Sequence, residues 1–176
     1  MESTSDKTQV SDALSRMFGV IEERFGARLL DSNVFRGELT FTVAVEDLVE
    51  VATFCKESPE LAFGRLDCLL GNHYPERTEA PFEVVLHLTS LENNTRLRLK
   101  TPVAEGQKVP TLTGVWSSAG WDERETWEMY GIEFEGHPDL RRLLTDDDFE
   151  GHPLRKDFPL QGTVGGRIRT DLKGKI

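Results

Sequence analysis

The stretch from Phe82 to Val103 constrains this chain more than any other. In "FEVVLHLTSL" Phe82, Val84, Leu86 and Leu88 fall on alternate positions, and in "TRLRLKTPV" Leu97 and Leu99 alternate with Arg96, Arg98 and Lys100. Side chains of a strand point alternately to its two faces, so each run carries one apolar and one polar face. The intervening Glu-Asn-Asn reads as a hairpin turn. The pair therefore predicts two antiparallel strands whose apolar sides need a covering layer, while the basic side faces outward.

Helices upstream supply that layer. Val10, Leu14, Met17, Phe18, Ile21 and Phe25 recur at spacings of three and four, the stripe of an amphipathic helix, and Gly26 is expected to end it as a left-handed cap. "GELTFTVAVEDL" alternates Leu39, Phe41, Val43 and Val45 as a further strand. A second helix follows from Glu46 to about Glu57, stopped by Ser58-Pro59. "FGRLDCLLGNHY" is another strand candidate. The order helix, strands, helix, strands specifies an α+β chain: a two-layer α/β sandwich with a mixed sheet of about five strands and two main helices.

The pattern breaks at Glu105. "TLTGVWSSAGW" predicts a short helical turn, and "WDERETWEMYG" a short helix ended by Gly131; Asp139 to Leu144 and Asp146 to Glu150 have room for a turn or two of helix. Elsewhere prolines and glycines stand too close together for long elements. The expected division is an α+β domain over 1–120, with roughly the first eight residues disordered, and a helix plus a long extended C-terminal strap over 121–176. So much irregular chain points to a job outside its own core.

Charge narrows that job. The chain holds 21 basic and 31 acidic residues, a formal charge of −10, and residues 121–160 alone hold twelve acids against five bases. Such a balance repels phosphate backbones and anionic lipid, which argues against nucleic acid and bare membrane as partners. No apolar run approaches a spanning helix and the first ten residues are polar and acidic, so a soluble, unexported chain is expected. Cys55 and Cys68 are expected as reduced core residues rather than a disulfide framework.

Within the acidic block, Glu-Gly-His-Pro occurs twice, placing His137 and His152 fifteen residues apart. The alternatives are a catalytic or metal-binding pair and a strap that fits another protein. The chain contains no HExxH, HxH, CxxC, GxSxG or Walker pattern, and Asp146 to Asp148 lack the alternating oxygen spacing of a calcium loop. His73 and His87 read as structural. At about 100° per residue, Trp121, Trp127, Met129 and Tyr130 spread over several faces of the predicted helix. Burial on several sides follows, either within its own core or between its own sheet and a second protein. Arg124, Glu125 and Glu128 are close enough in sequence to form a mutual ion-pair network, which suits structure better than proton transfer.

Glu123-Arg124-Glu125, then Glu128, Met129-Tyr130, His137, Arg141 and Leu143-Leu144 at their spacings resemble the signature of the C-type subunit family of proton-pumping NADH:quinone oxidoreductase, bacterial complex I. "GHPLRKDFPLQG" and the strands "RLDCLLGNHYP", "FEVVLHLTSL" and "RLRLKTPV" extend the resemblance over nearly the whole chain. It implies a scaffold subunit of the peripheral arm, with no cofactor of its own: flavin and iron–sulfur clusters reside in partner subunits. It implies docking on the D-type subunit of the same complex, with the B-type and I-type subunits as further neighbours, on the cytoplasmic side of the inner membrane. Similar subunits serve energy-converting hydrogenases and F420- or ferredoxin-dependent complexes, which stand as the alternative. On this reading Arg124, Glu125, Glu128, His137, Arg141, Arg142, His152, Arg155, Lys156 and Asp157 are the candidate partner contacts. Pro138, Pro153 and Pro159 stiffen the strap.

Overall fold

The computed structural model describes residues 4–159, with side chains from residue 12 onward. Helix α1 (Thr4–Phe25) is followed by strands β1 (Leu29–Phe35) and β2 (Glu38–Val43), helix α2 (Leu48–Glu57), and strands β3 (Arg65–His73), β4 (Phe82–Ser90) and β5 (Thr95–Val103). Then come the two-residue strand β6 (Val109–Pro110), helix α3 (Ala119–Tyr130) and the two-residue strand β7 (Phe134–Glu135).

The main sheet runs β1-β2-β5-β4-β3, with β2 and β5 parallel and the other neighbours antiparallel. It is the mixed five-stranded sheet of an α+β fold. The hairpin expected from the alternation is β4–β5, in which Phe82 faces Val103, Leu86 faces Leu99 and Leu88 faces Leu97. These residues and Leu39, Phe41 and Val43 of β2 are buried on the face that the helices cover. From α1, Met17, Ile21 and Phe25 close over them, and Phe18 stacks on Phe41 with ring centroids 5.7 Å apart. From α2 come Leu48, Val51, Ala52 and Cys55. Each such Leu, Ile or Phe contributes about 1.5–3 kcal/mol by leaving water.

The opposite face is polar, and its basic row is answered by acids. Glu38 pairs with Arg98, Glu83 lies 3.2 Å from Lys100 and 3.3 Å from Arg77, and Asp67 takes Arg65 at 2.6 Å. Glu38–Arg98 and Glu83–Lys100 neutralise charge between neighbouring strands, while Arg65–Asp67 lies within β3.

The two sheet edges differ. At β3, a register shift between Leu66 and Cys68 accompanies an outward Leu69 N–H, which donates to the Asp122 carboxylate of α3 at 2.8 Å. At β1, Leu30 to Phe35 are all exposed.

Several expectations need correction. Residues 4–8 belong to α1 rather than to a disordered leader. Gly26 does not take a left-handed conformation; it begins a 3-10 turn, Gly26–Arg28. The expected division at residue 120 falls inside α3. No helix forms over Asp139 to Leu144 or Asp146 to Glu150, which are turns and bends.

Candidate interaction site: helix α3 and the segment folded over it

Helix α3 meets the sheet where β3 has no side chain. A Cβ on Gly71 would lie 2.7 Å from the Tyr130 ring and 3.0 Å from Thr126 Cγ2, so only glycine admits the helix at this separation. Gly131 ends the helix in the left-handed conformation, φ 78°, as expected.

Beyond the helix, the strap doubles back over α3. Arg124 Nε donates to the Arg141 carbonyl and Nη2 to the Arg142 carbonyl, each at 3.0 Å. One turn later the Glu128 carboxylate accepts the N–H groups of Leu143 at 2.7 Å, Leu144 at 3.0 Å and Thr145 at 2.5 Å, and also the Thr145 hydroxyl. The i, i+4 pair therefore does not form the mutual network expected of it. Arg124 and Glu128 together grip the main chain of five consecutive residues, 141–145. Glu125 is exposed and takes no part in this grip.

The grip sets the electrostatics of the carboxylate. Burial works to raise the Glu128 pKa, but the bonds from the Thr145 hydroxyl and from the N–H groups of Leu144, Leu143 and Thr145 outweigh it, and the carboxyl is held below its ordinary value. A run of backbone N–H groups converging on one anion is a nest, built here by a loop rather than a helix end.

A helix leaves its last four carbonyls without partners inside the helix. In α3 all four are answered: Trp127 O by Gly131 N–H at 2.8 Å, Glu128 O by His152 Nδ1 at 2.8 Å, Met129 O by Leu154 N–H at 3.2 Å and Tyr130 O by Arg155 Nε at 2.6 Å. Arg155 also places a cation at the negative end of the helix dipole and over the Phe82 ring, 4.7 Å from its centroid.

Two other histidines pin the same segment. The Nδ1 of His137 accepts the Asp139 N–H at 3.0 Å, so its proton resides on Nε2, which donates to the Gly120 carbonyl at 3.0 Å. His73 stacks on Phe82 and its Nδ1 accepts the Lys156 N–H at 3.0 Å, with Asp157 Oδ1 3.9 Å away. His137 and His152 take carbonyls eight residues apart on α3, roughly 12 Å of helix rise, and do not form an acid–base pair.

Glu123 is fully buried, accepting the Thr111 hydroxyl and the Leu112 N–H at 2.6 Å each, and burial pushes its carboxyl up. Arg142 donates to the Thr145 hydroxyl at 2.8 Å and to the Phe149 carbonyl at 2.7 Å, closing the loop between them. Arg141 is exposed and paired with Asp139 at 2.9 Å. Of the ten candidate contacts, six spend their polar side-chain atoms inside the chain: Arg124, Glu128, His137, Arg142, His152 and Arg155. The side chains of Glu125, Arg141, Lys156 and Asp157 face outward.

Sequence reasoning gave no role to Asp122 or Thr145, named Glu123 only within the family signature, and read His73 as structural without its partner. Their partners lie between 11 and 83 residues away along the chain, so no local spacing reports them. Gly71, isolated in an apolar strand, was the one local sign of a close approach. The spread of large apolar groups around α3 has its cause inside the chain: β3 covers one side and the strap another, while Trp121 stays exposed.

Residues 41–164 match the family model described as the respiratory-chain NADH dehydrogenase 30 kDa subunit. The C-type subunit of NADH-quinone oxidoreductase from Rhizobium rhizogenes is 45% identical over 94% of this chain and 82% of its own length. Its counterpart from Mesorhizobium japonicum is 46% identical over 93% and 81%. Among solved structures, a trypsin-resistant fragment (1–134) of Nqo5 superposes with a TM-score of 0.62 at 31% identity, over 71% of this chain and 99% of the fragment. A chain of the membrane-bound sulfane sulfur reductase, an archaeal respiratory membrane complex, gives a TM-score of 0.67 at 25% identity, over 83% and 85%.

Proposed function

The chain belongs to the respiratory-chain NADH dehydrogenase 30 kDa subunit family, and from that premise we propose that it is a scaffold protein of complex I, docking on the D-type subunit so that its neighbours can pass electrons from NADH to quinone. Flavin and iron–sulfur clusters belong to those neighbours on this reading, and the B-type and I-type subunits flank the same assembly on the cytoplasmic side of the inner membrane. Among the described residues no helix is long and apolar enough to cross a membrane, which is compatible with attachment through the complex.

The observation that carries the reading is the use made of α3. Its ionisable residues Arg124 and Glu128 hold main chain. Asp122 holds a strand edge and Glu123 a loop. Groups of a kind that often perform chemistry are committed here to fixing the path of the strap, and a fixed strap is a surface prepared for a partner. The likeness to a sulfur-reducing archaeal complex supports the alternative of a scaffold in a related machine. The roughly 45% identity to subunits of NADH-quinone oxidoreductases favours the first reading.

Co-expression with the D-type subunit tests the proposal. Full-length chain should be retained on that subunit when it is captured, whereas a chain lacking residues 136–176 should fold and fail to be retained. Retention of the truncated chain at wild-type level would refute docking through the strap. NADH oxidation by the complex isolated through this chain separates an NADH-fed machine from a ferredoxin- or hydrogen-fed one.

A further inference from the structure

Three large apolar side chains stand in solvent along the outer side of α3 and its strap. Trp121 is 61% exposed, Leu144 63% and Leu154 48%. Trp121 belongs to α3 itself, and the main chain at Leu144 and Leu154 is hydrogen-bonded to α3. The Arg124 guanidinium lies 5.1 Å from the centroid of the Trp121 ring while it holds the Arg141 and Arg142 carbonyls. Leu144 is tied through its N–H to Glu128, and Leu154 through its N–H to the Met129 carbonyl. Trp121 thus stands on the first turn of the helix, and Leu144 and Leu154 are carried by main chain held at its last turn. Exposed apolar groups held this rigidly lose little entropy on being covered, which is the property of an interface anchor.

The charge beside Leu144 is acidic, whereas beside Leu154 an outward Lys156 is followed by an outward Asp157. Arg124, Arg142 and Arg155 are turned inward onto carbonyl groups, and Arg141 is paired with Asp139. Next to Leu144, the loop Asp146–Asp148 is exposed and clamped at both ends by Arg142, which holds the Thr145 hydroxyl and the Phe149 carbonyl.

We infer that Trp121, Leu144 and Leu154 form one docking surface, built jointly by α3 and the strap, whose occupant is a protein surface with apolar sockets bordered by lysine or arginine. The inference rests on the docking reading and adds to it the chemistry of the partner face and the residues that meet it. Apolar anchors set how long the complex lasts, and the Asp146–Asp148 loop sets how fast it forms.

The test is capture of the full-length chain on the D-type subunit over a salt series, with association and dissociation rates recorded. Trp121→Ala with Leu144→Ala should speed dissociation at least tenfold. Asp146→Asn with Asp147→Asn and Asp148→Asn should slow association several-fold at low salt and converge on wild type at high salt. Because Trp121 touches Arg124, Leu144→Glu serves as the second variant; its side chain is clear of the grip, and amide protection at residues 143–145 reports that the strap is still seated. Wild-type rates in all three variants, with the wild-type chain still captured, overturn the inference and leave docking on that neighbour intact. Failure of the wild-type chain to be captured removes both.

Discussion

At the scale of single residues, Glu128 is the most consequential side chain beyond the core. Glu128→Ala leaves three backbone N–H groups without their acceptor and should cost about 3 kcal/mol. Amide exchange at Leu143, Leu144 and Thr145 should then accelerate about a hundredfold, while amides of β4 keep their protection. The pH dependence has a definite sign. Because the folded-state carboxyl is held below its ordinary value of 4.5, its contribution is complete above that value and is lost as pH falls through the lower folded one. Glu123 and Asp122 act in the opposite sense, since burial raises both: their ionisation costs stability as pH rises from the ordinary range through the raised values. Acid should therefore loosen residues 143–145 in the wild type, and Glu128→Gln should abolish that acid step in the exchange of these amides. The cysteines give a separate check. Burial pushes the Cys55 thiol up to about 12, so alkylation should wait for global unfolding. The half-buried Cys68, raised by burial and then by Asp122 and Asp67, should react in the native state, slowly.

At the scale of elements, two glycines decide whether α3 and its strap can seat. Gly71→Ala drives a methyl into the Tyr130 ring and should cost about 1–3 kcal/mol by lifting α3 from β3, measured as a shift in denaturant midpoint. Gly131→Ala combines left-handed strain with a methyl 2.6 Å from His152 Nε2, so it should also loosen residues 152–155 in hydrogen exchange. Elements with a strong period were legible in the sequence: the α1 stripe from Met17 to Phe25, β2, and above all the β4–β5 hairpin. Strand β1 was not, because "LLDSNVF" is exposed along its whole free edge and has no buried face to impose alternation. The strap was legible as irregular chain and as a family signature, but its path was not. That path is set by hydrogen bonds to main-chain groups, which leave no mark on the identity of the residues being held. Arg124 and Glu128 showed the limit most clearly. Their spacing suits an ion pair, and tertiary partners outcompeted it.

For the molecule as a whole, one face of the sheet is covered by helices and the other by paired charges, and the strap closes the structure from outside. Removing residues 136–176 should lower Tm yet leave one cooperative calorimetric transition, because among the described residues those that fill the core all precede the cut. Strap contacts run backward in sequence, from residues 141–156 to α3 and β3, so synthesis sets an order. The sheet and α3 emerge first, and the grip closes only after residues 141–145 have followed them. A chain made only as far as α3 therefore lacks the seated strap, and the outer side of that helix stays unfinished until residues 141–145 arrive.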